Sequence, residues 1–372
     1  MQCDVLVAGG GIAGIAAALA SARSGARTVL CEKNCVLGGL ATMGLVTIYL
    51  PLCDGCGNQM SFGIAEELLK LSMKHNIQAR EPTPWIKSGT KEEKAKIRYE
   101  VQYNPWLFAL EAEKLLLNEG VTLIYDALVS DVEVLDGKIT KAFLQTKAGE
   151  LSIEAKSFVD ATGDADLCVQ SGAGTEHFAE GNTTSSWFYT VSERDGMKLR
   201  SIGLPFRSSE SDKTYYIDNP CSVSEYVIDS HKELLSELSE REKNGEEAAS
   251  ISMVPCYRRT RRICGKTVLS DKNEEYYKDS IGAVGDWRKR GPRFEIPFSC
   301  LYGTKIKNLI TAGRNISVTD EMWEITRVIP VCAVTGEAAG VAASMSDDFT
   351  SLDVHKLQSE LVRRGVKLHI YD

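Results

Sequence analysis

The sequence predicts an α/β protein, in which a Rossmann-like dinucleotide-binding domain carries a second, inserted substrate lobe of mixed or antiparallel sheet plus helices. Three observations predict it. The chain opens on a strand, glycine turn, helix and strand in immediate succession. Apolar strands ending in glycine-bearing turns return far downstream, at Thr162-Gly163 and Ala312-Gly313. Between them, residues 175–300 have a more polar and irregular texture.

The elements follow in order. Residues 3–8 (CDVLVA) have the length and composition of a buried parallel strand. Residues 15–24 are Ala-rich and favour a helix, and Gly25 is placed to stop it. Residues 27–31 form a second apolar strand ending at Glu32. Residues 63–75 read as a helix with Ile64, Leu68 and Leu71 on one face. Residues 81–100 are polar and read as a surface excursion. Pro105, in the favoured first turn, opens a helix over 106–118 that Gly120 ends. Strands are expected at 121–125, 128–135, 139–146 and 151–155, with Asp136-Gly137 as a hairpin turn. Residues 156–162 are another apolar strand. In the polar region, strand-like pieces at 184–192 and 213–218 alternate with a charged helix over 222–243. A strand returns at 308–312, followed by a small-residue helix over 330–344 and a closing helix over 353–365. The implied organisation is a discontinuous binding domain (1–75, 105–175 and 300–345), a substrate lobe (176–299) and a C-terminal helix (346–372).

Composition narrows the function. The chain has 372 residues, 43 Lys+Arg against 51 Asp+Glu, and a net charge of −8. An acidic chain without a basic block argues against nucleic acid as a partner. A hydrophobic share of 43% and a charged share of 25% are globular values. No apolar run reaches the roughly 18 residues a membrane span needs, so no membrane partner is expected. Eleven scattered cysteines fit free thiols in a cytoplasmic setting better than a disulfide scaffold.

The strongest motif is Gly9-x-Gly11-x-x-Gly14 with Glu32, an acid ending the next strand eighteen residues after Gly14. The glycines permit a tight turn and a close backbone approach to a pyrophosphate. The helix N-terminus, at Ile12 and Ala13, offers free N–H groups to it. Glu32 is suited to accept from ribose hydroxyls. No second GxGxxG unit marks a separate nicotinamide domain. The extra glycine segments, Gly38-Gly39, Thr162-Gly163-Asp164 and Gly313-Arg314, suit a long cofactor held by several strand ends, which favours FAD over NAD.

In these stretches the chain resembles the FAD-dependent oxidoreductases of the glutathione-reductase-like superfamily, and more closely a bacterial group within it. The resemblance rests on DVLVAGGGIAGIAAA, CEKNCVLGGLATMGLV, FVDATGDADL, RRTRRICG, FEIPFSCLYG and NLITAGRNIS, and reaches about residue 345. It implies a Rossmann-like FAD-binding domain and an oxidoreductase acting on a small-molecule substrate. It further implies that Gly9, Gly11 and Gly14 hold the pyrophosphate and that Glu32, with Lys33 beside it, takes the adenosine ribose. Gly38, Gly39 and Leu40 would pass near the ribityl and flavin region, and Val129 would meet the adenine. Thr162, Gly163 and Asp164 would lie near the pyrophosphate, and Gly313 and Arg314 would flank the ribityl chain. The helix after Pro330, with Val331 and Gly336, would aim its N-terminal amides at the flavin, where reduction places negative charge.

Catalytic candidates are thinner. Arg258, Arg259, Arg261 and Arg262 form a basic cluster in which one inward arginine would suit a carboxylate or phosphate. Arg327 sits three residues before Pro330, in the segment expected at the flavin. His177 is a candidate acid or base. Tyr49 and Tyr189 are weaker candidates. Cys53-x-x-Cys56 is either a redox pair or two loop thiols about an Asp-Gly turn. The four ligands of a zinc site are not spelled out, so no metal is expected. The reaction expected is hydride transfer between a small organic substrate and flavin N5, with a thiol–disulfide route through Cys53 and Cys56 or flavin-dependent monooxygenation as alternatives. The electron partner and oligomeric state stay open.

Overall fold

The computed structural model describes residues 1–74, 81–203 and 213–372. His75, the last residue of the helix expected over 63–75, lies outside them.

A five-stranded parallel sheet forms the centre, in the order Leu309–Thr311, Ser157–Asp160, Val5–Ala8, Thr28–Cys31 and Thr122–Ile124. Every residue of Val5–Ala8 is buried, because the sheet is covered on both faces. The two faces alternate along the strand. Val5 and Val7 join a core with the helices, whereas Leu6 and Ala8 join a second core with Val132, Leu144 and Ile153. The second core lies under an antiparallel meander, Leu128–Leu135, Lys138–Thr146 and Gly149–Glu154. Asp136 and Gly137, both at positive φ, make its expected first turn.

On the helical side, Ile12–Arg23 packs against Ile329–Met345. The expected small-residue helix is explained by this contact. A Cβ on Gly336 would sit 2.3 Å from the Ala13 carbonyl oxygen, and one on Gly340 would sit 2.1 Å from that of Ala17. The two backbones therefore touch, and only glycine fits. The helix Asp320–Thr326 meets Ile329–Met345 at 90°. No single helix among the described residues is long and apolar enough to cross a membrane.

The polar region carries a three-stranded antiparallel sheet, Gly196–Ile202, Ser186–Ser192 and Glu247–Ile251. The helix Pro220–Glu242 lies with it, its first amides capped by the Asn219 side chain. Residues 213–218 are not a strand as expected: Tyr215 makes one isolated pairing with Asn182. Residues 81–100 include two short helices, Thr83–Ile86 and Lys91–Lys96. Strands at Ser280–Gly285 and Arg293–Pro297 pair antiparallel and were not legible beforehand.

Candidate active site

A cavity of about 740 Å³ opens at the carboxyl ends of Val5–Ala8 and Ser157–Asp160. The chain leaves these neighbouring strands toward opposite sides of the sheet, which is the crevice where α/β sheets hold ligands. Of the residues the sequence singles out, Gly9, Gly11, Ile12, Ala13, Glu32, Lys33, Gly38, Gly39 and Leu40 line the cavity from the N-terminal unit. Val129, Thr162, Gly163, Asp164, Gly313, Arg314 and Arg327 line it from elsewhere. Gly14, Val331 and Gly336 do not. A Cβ on Gly14 would lie 1.8 Å from the Gly9 carbonyl oxygen, so that glycine closes the turn from behind. Gly336 is taken up by the helix contact, and Val331 is buried in the core.

The lining fits a dinucleotide. Gly11 has open space around its Cβ position, and its φ of −67° is unstrained. What it keeps clear is room in the cavity, not room within the protein. The helices Ile12–Arg23 and Ile329–Met345 both begin at the cavity with no side-chain cap. The first amides of a helix lack internal partners, and each of the other described helices of ten residues or more has at least one of its first amides bonded to a side chain. Asn104, Asn219 and Asp353 cap their own helices, and Glu337 accepts from Ile64 N at 2.7 Å. Two uncapped positive ends facing one space suit a phosphate and an anionic ring edge.

Glu32 is buried beside this turn. Its Oε2 accepts from Gly10 N at 2.7 Å, and its Oε1 accepts from the backbone and side-chain nitrogens of Asn34 at 2.8 Å each. Each carboxylate oxygen has two acceptor sites, so Oε2 keeps one unused while Glu32 lines the cavity. Asp160, which sequence reasoning passed over, shapes the facing loop. Its Oδ1 accepts from Thr162 N, Thr162 Oγ1 and Asn315 Nδ2, and its Oδ2 from Cys168 N. Burial pushes its carboxyl pKa up. Its only signal was position: an acid ending an apolar strand just before Thr162-Gly163. Arg314 ties this loop to the polar region, donating to Asp164 Oδ1 at 3.1 Å and to the Tyr257 carbonyl at 3.0 Å.

The far wall comes from the polar region, with Trp187, Ile217, Val223, Met253, Pro255 and Tyr257. The basic cluster divides here. Arg258 and Arg261 line the cavity, and Arg261 donates to the Asp164 carbonyl and to Asp166 Oδ1. Burial, with Asp164 and Asp160 nearby, pushes Asp166 up to about 6. Arg259 pairs with Glu324 at 3.2 Å and lies 3.7 Å over the Phe178 ring. Two catalytic candidates fall outside the cavity. Arg262 pairs with Glu176 and Asp320 and packs over Trp323, because alternate residues of Arg261–Ile263 face opposite ways. His177 is exposed on Thr175–His177, the strand paired with it. Arg327 lines the cavity and pairs with Glu324 at 2.6 Å. Tyr49 is buried and donates to the Ala65 carbonyl. The Tyr189 hydroxyl shares a 2.6 Å hydrogen bond with Thr47, which lines the cavity. Cys53 is buried, Cys56 exposed, both are free, and neither lines the cavity.

The FAD dependent oxidoreductase family matches residues 4–197 and 222–363, and the chain belongs to it. It is thus an oxidoreductase with FAD as its cofactor. No curated protein matches the chain. Among solved structures, it is similar to a p-nitrophenol 4-monooxygenase from Pseudomonas putida, with a TM-score of 0.54 at 13% identity over 97% of this chain and 84% of that one. A geranylgeranyl bacteriochlorophyll reductase-like protein from Thermoplasma acidophilum gives 0.50 at 13% identity over 98% and 84%. A flavin-dependent brominase gives 0.50 at 13% over 98% and 83%. These likenesses speak to the fold alone.

Proposed function

We propose that the protein transfers a hydride between a small organic substrate and flavin N5, in the part of the cavity walled by the polar region. The supporting observation is that one continuous cavity is lined both by the glycine turns of the parallel sheet and by apolar side chains of residues 176–299. The first lining suits the cofactor, and the second leaves an apolar space for a reactant.

FAD supplies the hydride acceptor or donor when bound. The chain's own residues do the rest. Gly11 and the uncapped start of Ile12–Arg23 would receive the pyrophosphate, and Glu32 the ribose. The uncapped start of Ile329–Met345 favours negative charge beside it. Trp187, Met253 and Pro255 give the reactant space an apolar wall. The thiol–disulfide route has less support, because neither Cys53 nor Cys56 lines the cavity and burial raises the Cys53 thiol pKa, which disfavours its thiolate.

The test is an anaerobic screen of the holoenzyme against small alcohols, amines and carboxylic acids, with activated alkenes screened after chemical reduction of the flavin. A substrate that bleaches or restores the flavin colour without oxygen supports the reading. Turnover that strictly requires oxygen and a reduced nicotinamide, with a hydroxylated product, would replace it by monooxygenation.

A further inference from the structure

Among the described residues, the arginines of the 258–262 cluster and of the cavity wall are paired, with one exception. Arg259 and Arg327 share Glu324, Arg261 holds Asp166, Arg262 holds Glu176 and Asp320, and Arg314 holds Asp164. Arg258 lines the cavity, and among the described residues its guanidinium has no hydrogen-bond or ion-pair partner. Its position is nonetheless fixed. Its backbone N–H donates to Asn182 Oδ1 at 3.2 Å, and its carbonyl accepts from Arg314 Nη1 at 3.4 Å.

The surroundings make a lone guanidinium costly. Desolvation and the neighbouring Arg327 both act against its charge, bringing its pKa down to about 10, where it is still protonated at neutral pH. Glu324 acts in favour of the Arg258 charge, but two other guanidiniums already pair with it. The local balance is therefore positive, in a wall that also holds Trp187, Met253, Pro255 and Tyr257. A half-buried charge without a partner, facing a cavity, is retained at a cost that an incoming anion removes. The planar fork of one free guanidinium matches the two oxygens of a carboxylate.

We propose that the substrate carries a carboxylate on an apolar body, and that Arg258 receives that carboxylate. This rests on the hydride-transfer reading above and names its substrate class. Arg258 becomes a specificity residue in contact with substrate, and Arg327, also in the cavity wall and held by Glu324, adds positive field.

The test uses the FAD-loaded protein, followed by its flavin absorption during titration with acetate, hexanoate, benzoate and 3-phenylpropanoate. Each acid is compared with its neutral amide and with inorganic phosphate. The expected result is a saturable spectral change with one or more of the acids and none with the matching amide. Arg258→Gln should retain FAD and bind that acid about 10- to 100-fold more weakly, the range for a lost charged hydrogen bond, and Arg258→Lys should recover part of the loss. The proposal is overturned if no acid perturbs the flavin, if acid and amide bind alike, or if phosphate binds more tightly than every acid. It is also overturned if Arg258→Gln binds the acid as well as the parent, or loses FAD, which would place Arg258 on the cofactor. A parent protein that holds no FAD would overturn the underlying reading as well, and its colourless spectrum distinguishes that failure from the others.

Discussion

Gly11 and Gly14 occupy the same turn for different reasons. Gly14 has the Gly9 carbonyl 1.8 Å from where a Cβ would stand, whereas Gly11 has nothing within 4 Å. Gly14→Ala is therefore expected to destabilise the fold, and Gly11→Ala to leave thermal unfolding of the FAD-free protein unchanged while weakening FAD binding at least tenfold. Calorimetry and a fluorescence titration with FAD separate the two, and equal stability losses would contradict the assignment. Glu337 gives a second contrast. It is buried in mid-helix, accepts from Ile64 N, and is raised by desolvation from 4.5 to about 7, against the lowering influence of Arg364 and Arg23. Between those pH values the folded protein holds a proton that the unfolded chain releases. This group's contribution to stability is thus present below about pH 4.5 and is lost as pH rises toward 7. Glu337→Gln should flatten that decline in urea unfolding across pH 5–8, and parallel curves would argue against it. Sequence could not reveal this role, since a lone Glu in a small-residue helix says nothing of the helix it will face. Gly9, Gly11 and Glu32 were legible because their spacing alone encodes a turn, a helix start and an acid beside it.

At the scale of elements, helix contact explains composition. The alanines and glycines of Ile12–Arg23 and Ile329–Met345 let two backbones meet, and Gly340 stands 2.1 Å, at its Cβ position, from the Ala17 carbonyl. Gly340→Ala must push the helices apart, and overpacking of this kind costs about 1–3 kcal/mol. Urea unfolding should show that loss, and an unchanged midpoint would mean the helices do not meet as described. The parallel strands were readable because burial on both faces leaves unbroken apolar runs. Residues 213–218 misled because alternation shows only that a strand could form. A ladder needs a partner, and Tyr215 finds one residue, Asn182, rather than an edge. The strand Glu247–Ile251 is exposed to half-buried, so its sequence carries little apolar pattern to detect. In the arginine cluster, only Arg261–Ile263 is strand, and the irregular chain before it decides which guanidinium reaches the cavity. That decision lies in tertiary placement, so sequence could offer four arginines but not choose Arg258.

At the scale of the whole molecule, the cavity joins segments more than 300 residues apart, from Gly9 to Cys332. The cysteine pair stands apart from it. Exchanging both Cys53 and Cys56 for Ser is expected to leave FAD content and the rate of flavin reduction by a cognate substrate unchanged, and a loss of more than tenfold in that rate with FAD retained would restore the thiol route. The hydride transfer and the substrate contact at Arg258 both depend on FAD occupying the cavity. The most direct measurement is therefore the visible absorption spectrum of the purified protein, with mass spectrometry of what it releases on denaturation. A yellow protein that releases intact FAD, about one per chain, is the expected result. A colourless protein that takes up no FAD on reconstitution would contradict it.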